Sequence, residues 1–214
     1  MTLLQRKNQS NKCVTGVTAL HEGHSWGASQ QQEQVIDLPH SDRDAEVISH
    51  ERVFDGKVFN VERDRVRMPN EREVTVDVIR HARSVVLLPV PEPGHIVLIR
   101  QFRYVVNRWL WELPAGSVDP GEEPEHAARR ECHEEIGQVP DTIVRLAALY
   151  PTPGYCDEEM LFFRLSGLSV PTEVAHVDED EDIEPKTFTL REARDMIRRG
   201  EIVDMKTVVG LGLI

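Results

Sequence analysis

Residues 116–137 read GSVDPGEEPEHAARRECHEEIG, and this stretch decides the reading of the chain. Pro124 stands where a first-turn proline belongs, Glu123 and Glu125 suit the positive end of a helix dipole, and Gly137 supplies a stop. The pattern predicts a helix from about Pro124 to Glu135. On it Glu131 and Glu135 lie one turn apart on one face with Glu134 beside them, where each like-charged pair costs roughly 0.2–0.5 kcal/mol in an isolated helix. A hard divalent cation such as Mg²⁺ offsets that repulsion, because carboxylates one turn apart can converge on an octahedral ion. A solvated acidic face, partly neutralised by Arg129 and Arg130, is the other reading of an isolated ExxEE cluster.

The spacing around the cluster decides between the two. Gly116, five residues, Glu122, seven residues, Arg130-Glu131, two residues, Glu134-Glu135, one residue and Gly137 resembles, position by position, the signature of the Nudix hydrolases. Cys132 stands where that signature usually has a larger aliphatic residue, and polar Gln138 stands where an apolar one follows the glycine. Both departures touch helix packing; the charged and glycine positions are complete. The resemblance implies an α/β chain in the Nudix fold, a mixed β-sheet between helices. It implies Mg²⁺, with Mn²⁺ as a substitute, held by Glu131, Glu135 and the carbonyl of Ala115 just before the signature glycine. Glu134 would act through a further ion, and Arg130 and Glu122 would brace loop and helix by ion pairing.

The 214 residues are 40% hydrophobic, enough for one domain of ordinary size with an appendage. No apolar run approaches the ~20 residues of a membrane span, and MTLLQRKNQSNKCV has no secretory pattern, so a cytoplasmic protein is expected. Cys13, Cys132 and Cys156 form no CxxC pair, which argues for reduced thiols rather than disulfides or zinc. A net charge of −12 argues against a nucleic-acid or anionic-membrane partner. An anionic phosphate ester remains a fitting substrate if a metal and a few clustered arginines reverse the field locally.

Residues 1–46 are polar, with no sustained period, and read as a flexible extension; His21-Glu22-Gly23-His24 in it lacks the spacing of a metal motif. Segments 52–54, 57–67 and 73–80 carry β-branched residues in partial alternation, with a turn at Pro69-Asn70, and predict a small antiparallel sheet over 47–83. The apolar runs 84–90 and 95–102, separated by Pro91-Glu92-Pro93-Gly94, predict a hairpin opening the main domain, 84–214. Residues 109–118 are expected to enter the signature through a strand and a loop, and strands are expected at 143–152, 158–167 and 186–190. Thr189 and Glu192 form a capping box for a helix ending at Gly200, and Asp204 can cap a last one.

Within the Nudix hydrolases, three features resemble the ADP-ribose (ADP-sugar) branch. These are Arg100-Gln101-Phe102-Arg103 before Trp111-Glu112-Leu113-Pro114-Ala115-Gly116, the Pro153-Gly154 pair, and Arg80-His81 at the end of the small sheet. The branch implies that Arg103 and Arg80 grip phosphate, with Glu112 beside them, and that Phe59 clamps the base. Trp109 and Trp111 read as core. Asp178-Glu179-Asp180-Glu181-Asp182 is a solvated acidic loop on composition alone. In the branch an acidic loop at this point is catalytic, which would make Glu179 the base and Glu181 a further metal ligand. The branch also implies a homodimer built through the small sheet. The expected reaction is hydrolysis of ADP-ribose to AMP and ribose 5-phosphate. Another nucleoside diphosphate sugar such as GDP-mannose is the alternative substrate, and a sensor that binds nucleotide without turnover is disfavoured because no signature glutamate is missing.

Overall fold

The computed structural model describes residues 44–172 and 182–214. Three strands come first: β1 (Glu46–Asp55), β2 (Phe59–Arg67) and β3 (Glu73–His81), paired antiparallel in that order. The turn expected at Pro69-Asn70 joins β2 to β3, with Glu71 in the left-handed region (φ 64°). Arg63–Asp77 and Arg65–Glu73 ion pairs link β2 to β3, and Arg67–Glu46 links β2 to β1. Val47, Val66 and Val74 stand in register across the three strands. Every residue of β1 is exposed, so this sheet covers little of its own apolar surface. It is tied to the rest of the chain through β3, where Ile79 N donates to Tyr155 O (2.7 Å) and Asp157 N to Ile79 O (3.1 Å).

The main body contains β4 (Ser84–Pro89), β5 (His95–Arg103), β6 (Arg108–Glu112), β7 (Ala115–Ser117), α1 (Pro124–Ile136), β8 (Thr142–Leu149), β9 (Met160–Ser166), β10 (Ile183–Thr189), α2 (Leu190–Arg198) and α3 (Met205–Gly212). A four-stranded mixed sheet has the order β7-β4-β9-β8, with β4 and β9 parallel, and a three-stranded antiparallel sheet has the order β10-β5-β6. The hairpin expected of residues 84–102 is not formed, since β4 and β5 lie in different sheets. Both strands are buried as their apolar runs require, but such a run says only that a strand is covered, and the neighbours of β4 come from β7 and β9.

Strand parity explains how the sheets come to lie between helices. Successive side chains of a strand face opposite ways. Val85 and Leu87 of β4, with Val97 and Ile99 of β5, join a core with Ala127, Ala128, Cys132 and Ile136 of α1. Val86, Leu88, Ile96 and Leu98 join the other core, with Ala193 and Met196 of α2 and Leu211 of α3. The strand and loop expected over 109–118 are β6, a break at Leu113-Pro114 that a proline without an N–H suits, and then the short strand β7 where a loop was expected. Trp111 packs at the edge of the second core, 5.0 Å from the ring of Phe188. Trp109 differs from the core reading: it is 40% exposed, lying against Phe102 and under Arg100.

Candidate active site

Helix α1 presents the acidic cluster because its ends are fixed. Pro124 opens it, and Gly137 closes it in the left-handed region (φ 68°), its N–H reaching the carbonyls of Cys132 and His133. Ala127, Ala128, Cys132 and Ile136 then face the core and carry Glu131 and Glu135 to its margin, 9% and 7% exposed. Burial pushes the Cys132 thiol up to about 12, so it is packing and not a nucleophile.

The short strand β7, which carries the signature glycine, lies directly over these carboxylates. Ala115 N donates to Glu135 Oε2 (2.9 Å). A Cβ on Gly116 would fall 2.0 Å from the Glu131 carboxyl, so only glycine lets the strand approach this closely. Arg130 ties helix and loop together: Nε and Nη2 bind the two oxygens of Glu122 (3.1 and 3.0 Å), Nη2 also reaches Ser117 O (2.9 Å), and Nη1 reaches Glu131 (2.6 Å) and Glu134 (2.9 Å). The hydrogen bonds to Glu122 and the neighbouring acids hold the Arg130 guanidinium above its ordinary pKa, and Arg130 in turn holds Glu122 below the usual carboxylate value. The repulsion read in the sequence is thus offset in part by one arginine. Gly116→Ala should retain the fold yet lower kcat by about 10²-fold, the cost of a misplacement near 1 Å at a reacting centre. Melting curves and steady-state kinetics on the one variant check this.

A second charged group lies on the cleft wall. Glu112, 1% exposed, accepts from Arg103 Nε (2.9 Å) and Nη2 (2.8 Å) and from Lys206 Nζ. Burial pushes this carboxyl up, but the bonds from Arg103 and the charge of Lys206 outweigh it and hold it below its ordinary value. With both oxygens engaged, Glu112 supports Arg103 rather than offering a free acceptor. An open depression of about 190 Å³ is lined by Ser84, Arg103, Ala115, Gly116, Glu158 and Lys206, among others, and so joins this group to the signature loop. Ser84 Oγ donates to Glu158 Oε1 (2.6 Å).

Arg80 binds Glu62 (Nε, 2.9 Å), Asp157 (Nη1, 3.2 Å) and Asp64 (Nη2), so three carboxylates share its fork. Phe59 opens β2, 40% exposed and 6.2 Å from the ring of Phe54, in register with His81. Glu179 and Glu181 lie outside the described residues. Glu158 and Lys206 escaped the sequence reading as site residues. Glu158 had only its place after Pro153-Gly154 to mark it, and Lys206 belongs to no motif.

Among the described residues no three acidic, histidine or cysteine side chains gather as a metal site. Two buried glutamates beside a backbone loop nevertheless suit a hard ion that takes its other ligands from carbonyl, water and substrate phosphate, as Mg²⁺ does. The donor set holds no thiolate or imidazole that would favour a softer metal.

The family model for the NUDIX domain matches residues 80–206. The chain belongs to the Nudix family. It is 35% identical over 164 residues to an ADP-ribose pyrophosphatase of Bacillus subtilis (strain 168), an alignment covering 77% of this chain and 89% of that protein. An ADP-ribose pyrophosphatase of Mycobacterium tuberculosis (strain ATCC 25618 / H37Rv) is 36% identical over 173 residues, covering 80% and 83%. A solved ADP compounds hydrolase shares the fold, with a TM-score of 0.70 at 23% identity over 82% of this chain and 94% of that one. The Nudix fold and the family resemblance therefore stand. Among the described residues no helix is long and apolar enough to cross a membrane.

Proposed function

We propose that this Nudix protein is a hydrolase that cleaves the pyrophosphate of ADP-ribose into AMP and ribose 5-phosphate. The observation that carries the reading is the cleft itself: two buried glutamates under a glycine loop on one side, Arg103 and Lys206 on the other. Its likeness over most of the chain to two ADP-ribose pyrophosphatases supports the substrate class.

Glu131, Glu135 and the Ala115 carbonyl would hold Mg²⁺, with Mn²⁺ as a substitute, and Glu181 would add a ligand from the acidic loop. The bound ion supplies electrostatic stabilisation of charge on the diphosphate oxygens. Arg103 binds the diphosphate, and Glu112 orients Arg103. Glu134 serves a further ion, while Arg130 and Glu122 keep loop and helix in register. Glu179 takes the proton of the attacking water as that oxygen bonds to phosphorus and the bridging P–O bond breaks. Arg80 and Phe59 contribute from the small sheet, Phe59 by stacking on adenine.

We assign residues 47–83 to dimerisation and 84–214 to the chemistry, with 1–46 as an extension. Val47, Val53, Phe54 and Val58 are each more than half exposed, an apolar surface that a second copy of the chain would cover. The chain beginning at Ser84 is expected to sediment as a monomer and to lose activity; a fully active monomer would remove the assignment. Cys132 and Cys156 are free thiols, which supports a cytoplasmic setting.

A panel of nucleoside diphosphate sugars, compared by kcat/KM in Mg²⁺, tests the substrate. ADP-ribose should lead; a higher value for GDP-mannose would move the assignment to that sugar.

A further inference from the structure

Helix α3 starts beside the cleft, and its first turn grips two consecutive residues of the strand leading into the signature loop. Asp204 caps the helix, its Oδ2 accepting from Thr207 N (2.9 Å) and Thr207 Oγ1 (2.6 Å). Thr207 Oγ1, fully buried, in turn accepts from Leu113 N (2.7 Å). Lys206 Nζ, between these two, binds Glu112 and lies 3.2 Å from Asp204 Oδ2. The helix thereby holds the backbone of Leu113 and the side chain of Glu112, two and three residues before Ala115.

Four charges meet around the strand that leads into the signature. Arg103 and Lys206 are cations, and Glu112 and Asp204 are their counter-charges. The Glu112 side chain is 2% exposed and that of Lys206 10%, so neither can rely on water. Arg103 is different: its side chain is 40% exposed, its Nε and Nη2 serve Glu112, and Glu135 and Asp204 act on it only through their charge. One edge of the fork is anchored on Glu112, and Arg103 lines the depression that Ala115 and Gly116 also line.

We propose that Lys206 is a positioning residue for substrate phosphate: by sharing the buried charge of Glu112, it leaves Arg103 at the cleft wall with an edge for the diphosphate. This rests on the reading of the cleft as a nucleoside diphosphate sugar site. Without Lys206 the buried carboxylate has one counter-ion in place of two, and Arg103, already bound to both of its oxygens, has less positive charge to spare for the ligand. The side chain that does this comes from outside the signature, 94 positions beyond Glu112 in the chain.

The test compares the full chain with Lys206→Met, Lys206→Arg and the double variant Lys206→Met/Glu112→Gln, using ADP-ribose with Mg²⁺ and a thermal melt of each. Lys206→Met should raise KM by about 10- to 100-fold, the range that one charge-assisted hydrogen bond commands, with kcat within a few-fold. Lys206→Arg should restore most of the affinity. The double variant no longer buries an unbalanced carboxylate, and should bind better than Lys206→Met alone. Should Lys206→Met fail to fold, Lys206→Gln replaces it, since its amide can still bond Glu112 without sharing the charge. An unchanged KM overturns the proposal, as does a loss confined to kcat or melting temperature. A double variant no better than the single one also overturns it, because Lys206 would then act on phosphate directly and not through Glu112. A wild-type chain that turned over no nucleoside diphosphate sugar would instead remove the underlying reading, and the proposal with it.

Discussion

Glu131→Gln and Glu135→Gln each lower turnover by about 10²–10⁴-fold while the fold is retained, if these carboxylates hold the metal that neutralises several kcal/mol of developing charge. Both residues are buried at the core margin, and Gln keeps their shape. Glu131 loses a charge facing Arg130, and Glu135 loses one facing Ala115 N, so the loop should shift little. The loss should therefore appear in kcat and in the Mg²⁺ concentration needed for half-maximal rate, with melting temperature nearly unchanged. Near-normal rates of both variants at limiting Mg²⁺ would contradict the assignment. The solvated-face reading of the helix predicts that outcome.

Glu179→Gln should lower kcat by about 10²–10⁴-fold with a small change in KM, the contribution of a positioned general base. Glu181→Gln should instead raise the Mg²⁺ requirement along with its loss of rate. The pair separates base from ligand, which neither variant does alone. If residues 178–182 are only a charged loop, both changes alter the rate less than a few-fold. Measuring kcat against Mg²⁺ for the two variants decides between these outcomes.

The signature helix was legible because its information is local. Pro124, Gly137 and the acidic spacing all act within one element, and α1 ends one residue past the expected Glu135. The capping box of Thr189 and Glu192 and the Asp204 cap are equally local, and both form. Strand existence over 84–90 and 95–102 was legible from apolar runs, but their pairing was not. Hydrogen-bond partners come from β7, β9, β6 and β10, which no pattern inside β4 or β5 names. The same limit hides the charge groups. Arg80 reads as a cation ready for phosphate, yet its acids come from positions 62, 64 and 157. Lys206 belongs to no motif, and only the fold brings it against Glu112. Short-range chemistry is written in the order of residues, whereas the balance of buried charge depends on which distant segments meet.

The most direct measurement is product-resolved hydrolysis of ADP-ribose by the full chain across a Mg²⁺ titration. AMP and ribose 5-phosphate are expected in equal amounts, formed only when a divalent ion is present. Turnover that persists after chelation of all divalent ions, or products other than this pair, would contradict it.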